Sequence, residues 1–277
     1  MTLEADVMAE RHRRMGGSVA IVTGATGGVG RGIARRLAAG GMTVVVGSRD
    51  AGRAQTIVEE LAALGARSLA IQADVGLPED VERLISTSVE RFGRLDVMCN
   101  NAGLLHIAPF FESTIEDWQR VFLVNVGGVL LGTQSAAIQM RRQSIDPETG
   151  CRGKIVNVSS PAADSLVSTE AAYGASKAAV NHLTRNAAAL LAGDLISVTS
   201  LYPGNVWEGM QSRVHQQAGD PPGPPAGPSA RGKLESWPTG RWQRPDDTGD
   251  MVVFIASYRG MDLNGQLIIS HPHRHRL

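Results

Sequence analysis

Tyr173 and Lys177 stand four residues apart in the run Tyr173-Gly174-Ala175-Ser176-Lys177. On a helix that spacing puts a phenol and an ammonium on one face, one turn from each other. The lysine charge favours the tyrosinate, so it is expected to draw down a phenol pKa that is ordinarily about 10. Such a pair exchanges a proton with an alcohol or carbonyl oxygen near neutral pH. Alone, the pattern equally fits a surface helix pair. It gains meaning when a nucleotide site precedes it and a hydroxyl donor stands close by.

Both conditions are met. Ser18-Val-Ala-Ile-Val-Thr23 is a short apolar, β-rich run that leads into Gly24-Ala25-Thr26-Gly27-Gly28-Val29-Gly30. An Ala/Leu/Arg-rich stretch from Arg31 to Ala39 follows and stops at Gly40-Gly41. Strand, glycine turn and helix in that order form a phosphate-binding element of a dinucleotide fold. The glycines let backbone approach a pyrophosphate, and the helix N-terminus offers free N–H groups and a positive dipole end. Upstream of Tyr173, Gly153-Lys-Ile-Val-Asn-Val-Ser-Ser160 reads as a buried strand ending in serines, with Ser160 13 positions before Tyr173.

At this point the chain resembles the short-chain dehydrogenase/reductase family in its common single-domain form, over roughly residues 18 to 269. The resemblance rests on Thr23-Gly-Ala-Thr-Gly-Gly-Val-Gly30, Asn100-Asn101-Ala102-Gly103, Asn125, Ser160, Tyr173-x-x-x-Lys177 and Pro203-Gly204, all in the family's order and spacing. It implies that Tyr173 is the general acid in reduction and the general base in oxidation. Lys177 would also hold the nicotinamide ribose hydroxyls, and Ser160 would donate to the substrate oxygen and steady the charge growing there. Asn125 would anchor a water linking Lys177 to solvent, and Ser159 would be structural.

For the cofactor, the resemblance implies a pyrophosphate cradle of Gly24, Thr26, Gly28, Val29 and Gly30. Asp74 and Val75 would meet the adenine, although Asp74 also reads as a turn or capping aspartate. Asn101, Ala102 and Gly103 would run along the adenosine side, with Asn100 supporting the turn. Pro203, Gly204 and Val206 would face the carboxamide. Beyond Val206 the family's usual threonine is missing, and Trp207 and Glu208 stand there instead. The usual glycine pair after the last strand is likewise replaced by Ser270-His271.

The end of the second strand selects the cofactor. Relatives that use NAD place an acidic residue there for the ribose 2′-OH, whereas Val44-Val-Val-Gly47-Ser48-Arg49-Asp50 offers Ser48 and then Arg49. A hydroxyl and a guanidinium suit a 2′-phosphate, so NADP (as NADPH) is expected in preference to NAD. Asp50 either opposes that phosphate or caps the following helix. The substrate is expected beside Ser160 and Tyr173, among His106, Ala162, Asp164, Trp207 and Glu208, a set suggesting a polar group next to a flat apolar one.

The elements needed to hold these residues alternate from end to end. Strands are expected near 18–23, 42–47, 67–72, 95–99, 154–158, 195–201 and 265–269, and helices near 29–39, 51–64, 78–92, 115–142, 172–191, 207–217 and 246–257. This is an α/β, Rossmann-type doubly wound sheet of about seven parallel strands with helices on both faces. A single domain spans 18–277 behind an exposed extension, 1–17. The Pro/Gly-dense stretch Ala218–Ser229 cannot be helix or central strand. It reads as a surface loop, or, by resemblance, as part of a substrate-covering lid over 205–236. Gln143–Arg152 reads as a surface insertion away from the cofactor edge.

The chain has 277 residues, 43% of them apolar, and a formal net charge of zero. That size supports one substantial core, and the charge gives no basic field for nucleic acid or anionic membrane. Two cysteines, Cys99 and Cys151, form no disulfide framework and suit a reducing cytoplasm. No uninterrupted apolar stretch is long enough to span a bilayer. The tail Pro272-His-Arg-His-Arg-Leu277 reads as solvated rather than as a metal site, so no metal is expected. Apolar positions beyond one stripe on 115–142 and 172–191 point, with the resemblance, to a homotetramer, with a dimer as the alternative because of the altered C-terminus. The expected activity is NADPH-dependent reduction of a ketone or aldehyde, or the reverse, on a small or medium-sized metabolite. A same-fold isomerase, epimerase or dehydratase without net redox, and a non-catalytic nucleotide-binding regulator, are the alternatives.

Overall fold

The structure, a computed structural model, describes residues 15–166, 169–212 and 241–270. Most of the expected 205–236 lid, the second half of the helix near 207–217 and the tail from His271 lie outside those residues, as does the extension up to Arg14.

Seven strands form: β1 Val19–Thr23, β2 Thr43–Ser48, β3 Ser68–Gln72, β4 Val97–Asn100, β5 Gly153–Val158, β6 Ile196–Tyr202 and β7 Leu267–Ile269. β1, β2, β4, β5 and β6 are buried at every position, as strands covered on both faces must be. All pair in parallel, in the order β3-β2-β1-β4-β5-β6-β7. The chain winds outward from β1 to β3 and then crosses back to β4. The sheet therefore reverses between β1 and β4, the place where open α/β sheets take their ligands.

Among the described residues, seven α-helices cover the sheet: α1 Gly28–Ala39, α2 Ala51–Ala63, α3 Pro78–Phe92, α4 Ile115–Phe122, α5 Gly128–Arg141, α6 Ala171–Leu191 and α7 Pro245–Ser257. Alternate strand residues feed opposite layers. Ala20, Val22, Val44 and Val46 meet Ile33, Leu37, Ile57, Leu61 and Val252 of α1, α2 and α7. Val19, Ile21 and Val45 meet Leu84, Ile85, Ala136, Met140 and Leu191 of α3, α5 and α6. A side chain on Gly32 would collide with the Pro245 carbonyl, so glycine there lets α7 lie directly on α1.

Two sequence expectations need correction. The 1–17 extension is not exposed throughout: Met15 is 2% exposed and belongs to the first core layer, while Gly16 and Gly17 are exposed. The helix expected over 115–142 is broken by a wider π-turn at Leu123–Gly127, between α4 and α5. The helical path Ile115–Arg141 is long and apolar enough by average composition to cross a membrane, but Asn125, Thr133 and Gln134 interrupt its apolar run, and in this fold it packs along the sheet. As expected, Gln143–Arg152 is a turn-rich surface segment away from the cofactor edge, and it is tied down at both ends. The Gln143 amide bonds both backbone groups of Leu95 at 2.8 and 2.9 Å, and Cys151 is buried. This loop sits where β4 and β5 begin, at the opposite end of the sheet from the glycine turn.

Candidate active site

The carboxyl ends of β1, β2 and β4 converge because Thr23 is in register with Gly47 and Val22 with Cys99. The Thr23 hydroxyl accepts from the backbone N–H groups of Asn101 and Ala102, both at 3.1 Å. The Asn101 amide in turn donates to the carbonyls of Thr23 (2.8 Å) and Gly24 (3.2 Å). Asn101, and not Asn100, therefore braces the glycine turn. Asn100 instead donates to Asn157 at 2.9 Å inside the sheet. Gly24 has φ of +67°, a conformation that favours glycine. A side chain on Gly30 would collide with the Asn101 amide and the Gly24 carbonyl. Glycine at these positions is thus a packing requirement as well as a route for close approach of a phosphate.

A cleft of about 1100 Å³ opens along these strand ends. That is at the upper end of, or beyond, what a drug-sized ligand needs, and it suits a dinucleotide with a small substrate. Gly24, Thr26, Gly28, Val29, Gly30, Ser48, Arg49, Asp74, Val75, Asn101, Ala102, Gly103, Pro203, Gly204 and Val206 all line it, together with Ser160, Ala162, Tyr173, Lys177 and Glu208. The free backbone of the turn, the N-terminus of α1 and the hydroxyl and guanidinium of Ser48 and Arg49 are donors suited to phosphates. Asp50 resolves to a cap: its side chain accepts from the Arg53 N–H at 2.9 Å at the start of α2. Asp74 is likewise a turn aspartate, accepting from the Gly76 N–H at 2.9 Å, while its other oxygen lies 4.0 Å from Arg49.

At the opposite end of the cleft, α6 carries Tyr173 and Lys177, and β5 delivers Ser159 and Ser160. The Ser159 hydroxyl donates to the Lys177 carbonyl at 3.1 Å, locking strand end to helix. The Ser160 hydroxyl is near enough to the Tyr173 phenol to hold its pKa down, and it accepts from the Ala162 N–H at 3.2 Å. Lys177 Nζ lies 5.7 Å from the centre of the Tyr173 ring and donates to the Val158 carbonyl at 2.8 Å. The expected electrostatics do not hold. Burial pushes the phenol up to about 12, with the Ser160 hydroxyl acting against the rise and the Glu170 carboxylate adding to it. Burial also takes Lys177 down to about 8. Desolvation disfavours both charged forms, and it is the largest influence on each.

Asn125 is fully buried in the π-turn, and its side chain is committed within the protein. It accepts from the Leu104 N–H at 2.7 Å and donates to the Leu104 carbonyl and to Ser176 at 3.0 and 2.9 Å. It thereby fastens the Gly103–Leu104 segment to α6, and it does not line the cleft. Such π-turns recur at functional sites.

Three residues expected to touch substrate point elsewhere. His106 Nε2 lies 3.4 Å from Asp117 on α4. Asp164 accepts from the Tyr202 hydroxyl at 2.9 Å. The Trp207 ring meets Trp242 edge-on at 5.4 Å. None of the three lines the cleft. Arg53, Arg120 and Glu170 do line it and were missed by the sequence reading. Glu170 had a signal, since it precedes Tyr173 by three and shares its helix face once α6 is extended upstream. Arg53 had one too, lying three residues beyond a capping aspartate.

This geometry is that of a known family. The short chain dehydrogenase profile matches residues 18–219, and the chain belongs to that family of oxidoreductases. It is 37% identical over 257 residues to an uncharacterized oxidoreductase of Methylorubrum extorquens, covering 92% of this chain and 96% of that one. It is 36% identical over 264 residues to a hydroxynaphthalene reductase-like protein of Metarhizium guizhouense, covering 94% and 96%. Among solved structures, a short chain dehydrogenase from Burkholderia cenocepacia in complex with NADP superposes with a TM-score of 0.78 at 31% identity, covering 92% and 97% of the two chains.

Proposed function

We propose that the protein is an NADPH-dependent carbonyl reductase, or in reverse an alcohol dehydrogenase, acting on a small or medium-sized metabolite. The observation that carries this reading is that Ser160, Tyr173 and Lys177 line the same cleft as the braced glycine turn. The reductase name of the Metarhizium relative and the NADP bound to the Burkholderia structure support it.

The nicotinamide, when bound, supplies or takes the hydride. The chain supplies position and a proton. A phenol near 12 is protonated at neutral pH, which suits delivery of a proton to a carbonyl oxygen as charge grows on it. Ser160 is placed to donate a hydrogen bond to that same oxygen. Lys177, near 8 and one turn from Tyr173, holds or releases a proton in the working range and steadies the phenolate left behind. Asn125 acts as a positioning residue through Leu104 and Ser176. Ser48 and Arg49, without a carboxylate free to hold a ribose 2′-OH, favour NADPH over NADH. The reading includes a homotetramer in the cytoplasm; the free thiols of Cys99 and Cys151 suit a reducing compartment.

A panel of ketones and aldehydes followed by NADPH absorbance tests the reading. One NADPH is expected to be consumed per product formed, with NADH markedly poorer. Turnover without NADPH loss would show an isomerase-type reaction instead, and equal use of NADH would overturn the cofactor preference.

A further inference from the structure

We propose that Glu170 selects the substrate, and that the substrate is a carbonyl compound carrying a protonated amine; the inference rests on the reductase reading above. Glu170 stands at the start of α6, three residues before Tyr173, and its backbone carbonyl accepts from the Gly174 N–H at 2.8 Å. Residues three apart on a helix are neighbours, so the carboxylate and the phenol share one face. Both line the cleft, along with Ser160 and Lys177. The Glu170 side chain makes no capping bond to its own helix. Among the described residues its carboxylate has neither a hydrogen-bond donor nor an ion-pair partner, and burial alone pushes its pKa up.

The other charged groups of the cleft are already engaged. Asp50 caps α2, Asp74 closes its own turn, and Glu208 lies within the field of Arg31. Of the cations, Lys177 donates to the Val158 carbonyl, Arg53 to the Thr26 carbonyl and Arg120 to Asp117, while Arg49 faces Asp74. Glu170 is therefore, among the described residues, the carboxylate beside Tyr173 that lacks a counter-charge. A desolvated carboxylate gains most from a cation, which returns a hydrogen bond and the opposite charge together. A hydroxyl returns only the first, and an anion is repelled. The same charge bears on the reaction. Glu170 disfavours the phenolate of Tyr173, and so opposes the negative charge that proton delivery leaves there. An ammonium on the substrate cancels that opposition at the moment of hydride transfer. Leu105, Pro161, Ala162 and Met210 offer the carbon skeleton an apolar wall.

NADPH-coupled kinetics of the full chain and of Glu170→Gln and Glu170→Asp test the assignment, with the thermal midpoint of each protein as the folding control. The probes are aminoacetone, hydroxyacetone, butanone and pyruvate, alike in size but different in charge, and their homologues with one more methylene. The readout is the ratio of kcat/KM to that of the neutral alkyl ketone of the same length, so that any effect common to all ketones cancels. The wild type is expected to favour the ammonium ketone. Glu170→Gln should lower that ratio by about tenfold or more, the scale of a charge-assisted hydrogen bond, and raise the ratio for the carboxylate. Glu170→Asp, which keeps the charge on a shorter arm, should retain part of the preference. An ammonium ratio that Glu170→Gln leaves unchanged sinks the assignment, and so does a hydroxyl ratio that falls as far as the ammonium one. If other ketones or aldehydes consume NADPH while no ammonium ketone does, only the assignment falls. If none consumes NADPH, the reductase reading falls and takes the assignment with it.

Discussion

Lys177 Nζ stands 5.7 Å from the centre of the Tyr173 ring while donating to the Val158 carbonyl at 2.8 Å. The lysine is thus anchored to the end of β5, beside the phenol rather than hydrogen-bonded to it. Removing the phenol oxygen should therefore leave lysine, cleft and cofactor contacts in place. Tyr173→Phe is expected to lower kcat/KM by about 10²–10⁴-fold, the contribution of a positioned acid or base, with little change in the NADPH dissociation constant. A variant that keeps a tenth of the wild-type rate would remove Tyr173 from the role of proton donor.

The same lysine makes a prediction about stability. Its pKa in the folded chain, about 8, lies below the ordinary value of 10.5 because burial penalises the ammonium. Between those values the unfolded chain still carries a proton that the folded chain has released, so Lys177 makes stability rise with pH across that window and contributes no such rise below it. The slope approaches about 1.4 kcal/mol per pH unit for one proton. Urea unfolding of wild type and Lys177→Met from about pH 8 to about 9.5, below the Tyr173 titration, should show a steeper rise in the wild type. Parallel curves would mean that the buried ammonium keeps its charge.

Asn101 ties the glycine turn to β4 through the carbonyls of Thr23 and Gly24. Asn101→Ala leaves both acceptors without that partner, at a cost of about 1–3 kcal/mol for the unmet bonds. Because the loss falls on the turn under the pyrophosphate and not on the 2′-phosphate end, NADPH and NADH should weaken by the same factor. Unequal weakening in a titration would place Asn101 in cofactor discrimination instead.

How much was legible follows from how each feature is encoded. The strands were readable to within about two residues because parallel strands buried on both faces are written as unbroken apolar runs such as Val19–Thr23. The glycine turn, Ser160 and Tyr173–Lys177 were readable because each is a local pattern at a strand end or on one helix face. The π-turn around Asn125 was not, since a wider helical turn leaves no periodicity of its own within five residues. His106 and Trp207 were misplaced because nearness in sequence to the site does not set side-chain direction; Asp117 and Trp242, distant in sequence from them or from the motif, do. The high phenol pKa was missed because spacing reveals a neighbouring charge but not the depth of burial.

Of the apolar positions read as excess on the two long helices, Val129, Ala136 and Val180 are buried in the chain's own core. Leu130 and Ile138 stay 37% and 51% exposed on α5, two turns apart on one face, and Leu190 is 78% exposed on α6. A helix packed on a sheet needs one apolar face, and a second one calls for a partner. We expect these helices to pair across a two-fold axis and a second axis to complete a tetramer of 29.3 kDa chains. Light scattering on the eluting protein should give a mass near four chains. Ile138→Glu should lower that mass to a smaller species with the fold intact by circular dichroism. A monomeric wild type would contradict the pairing of α5 and α6, while a dimer that Ile138→Glu dissociates would leave that pairing standing and remove only the second axis.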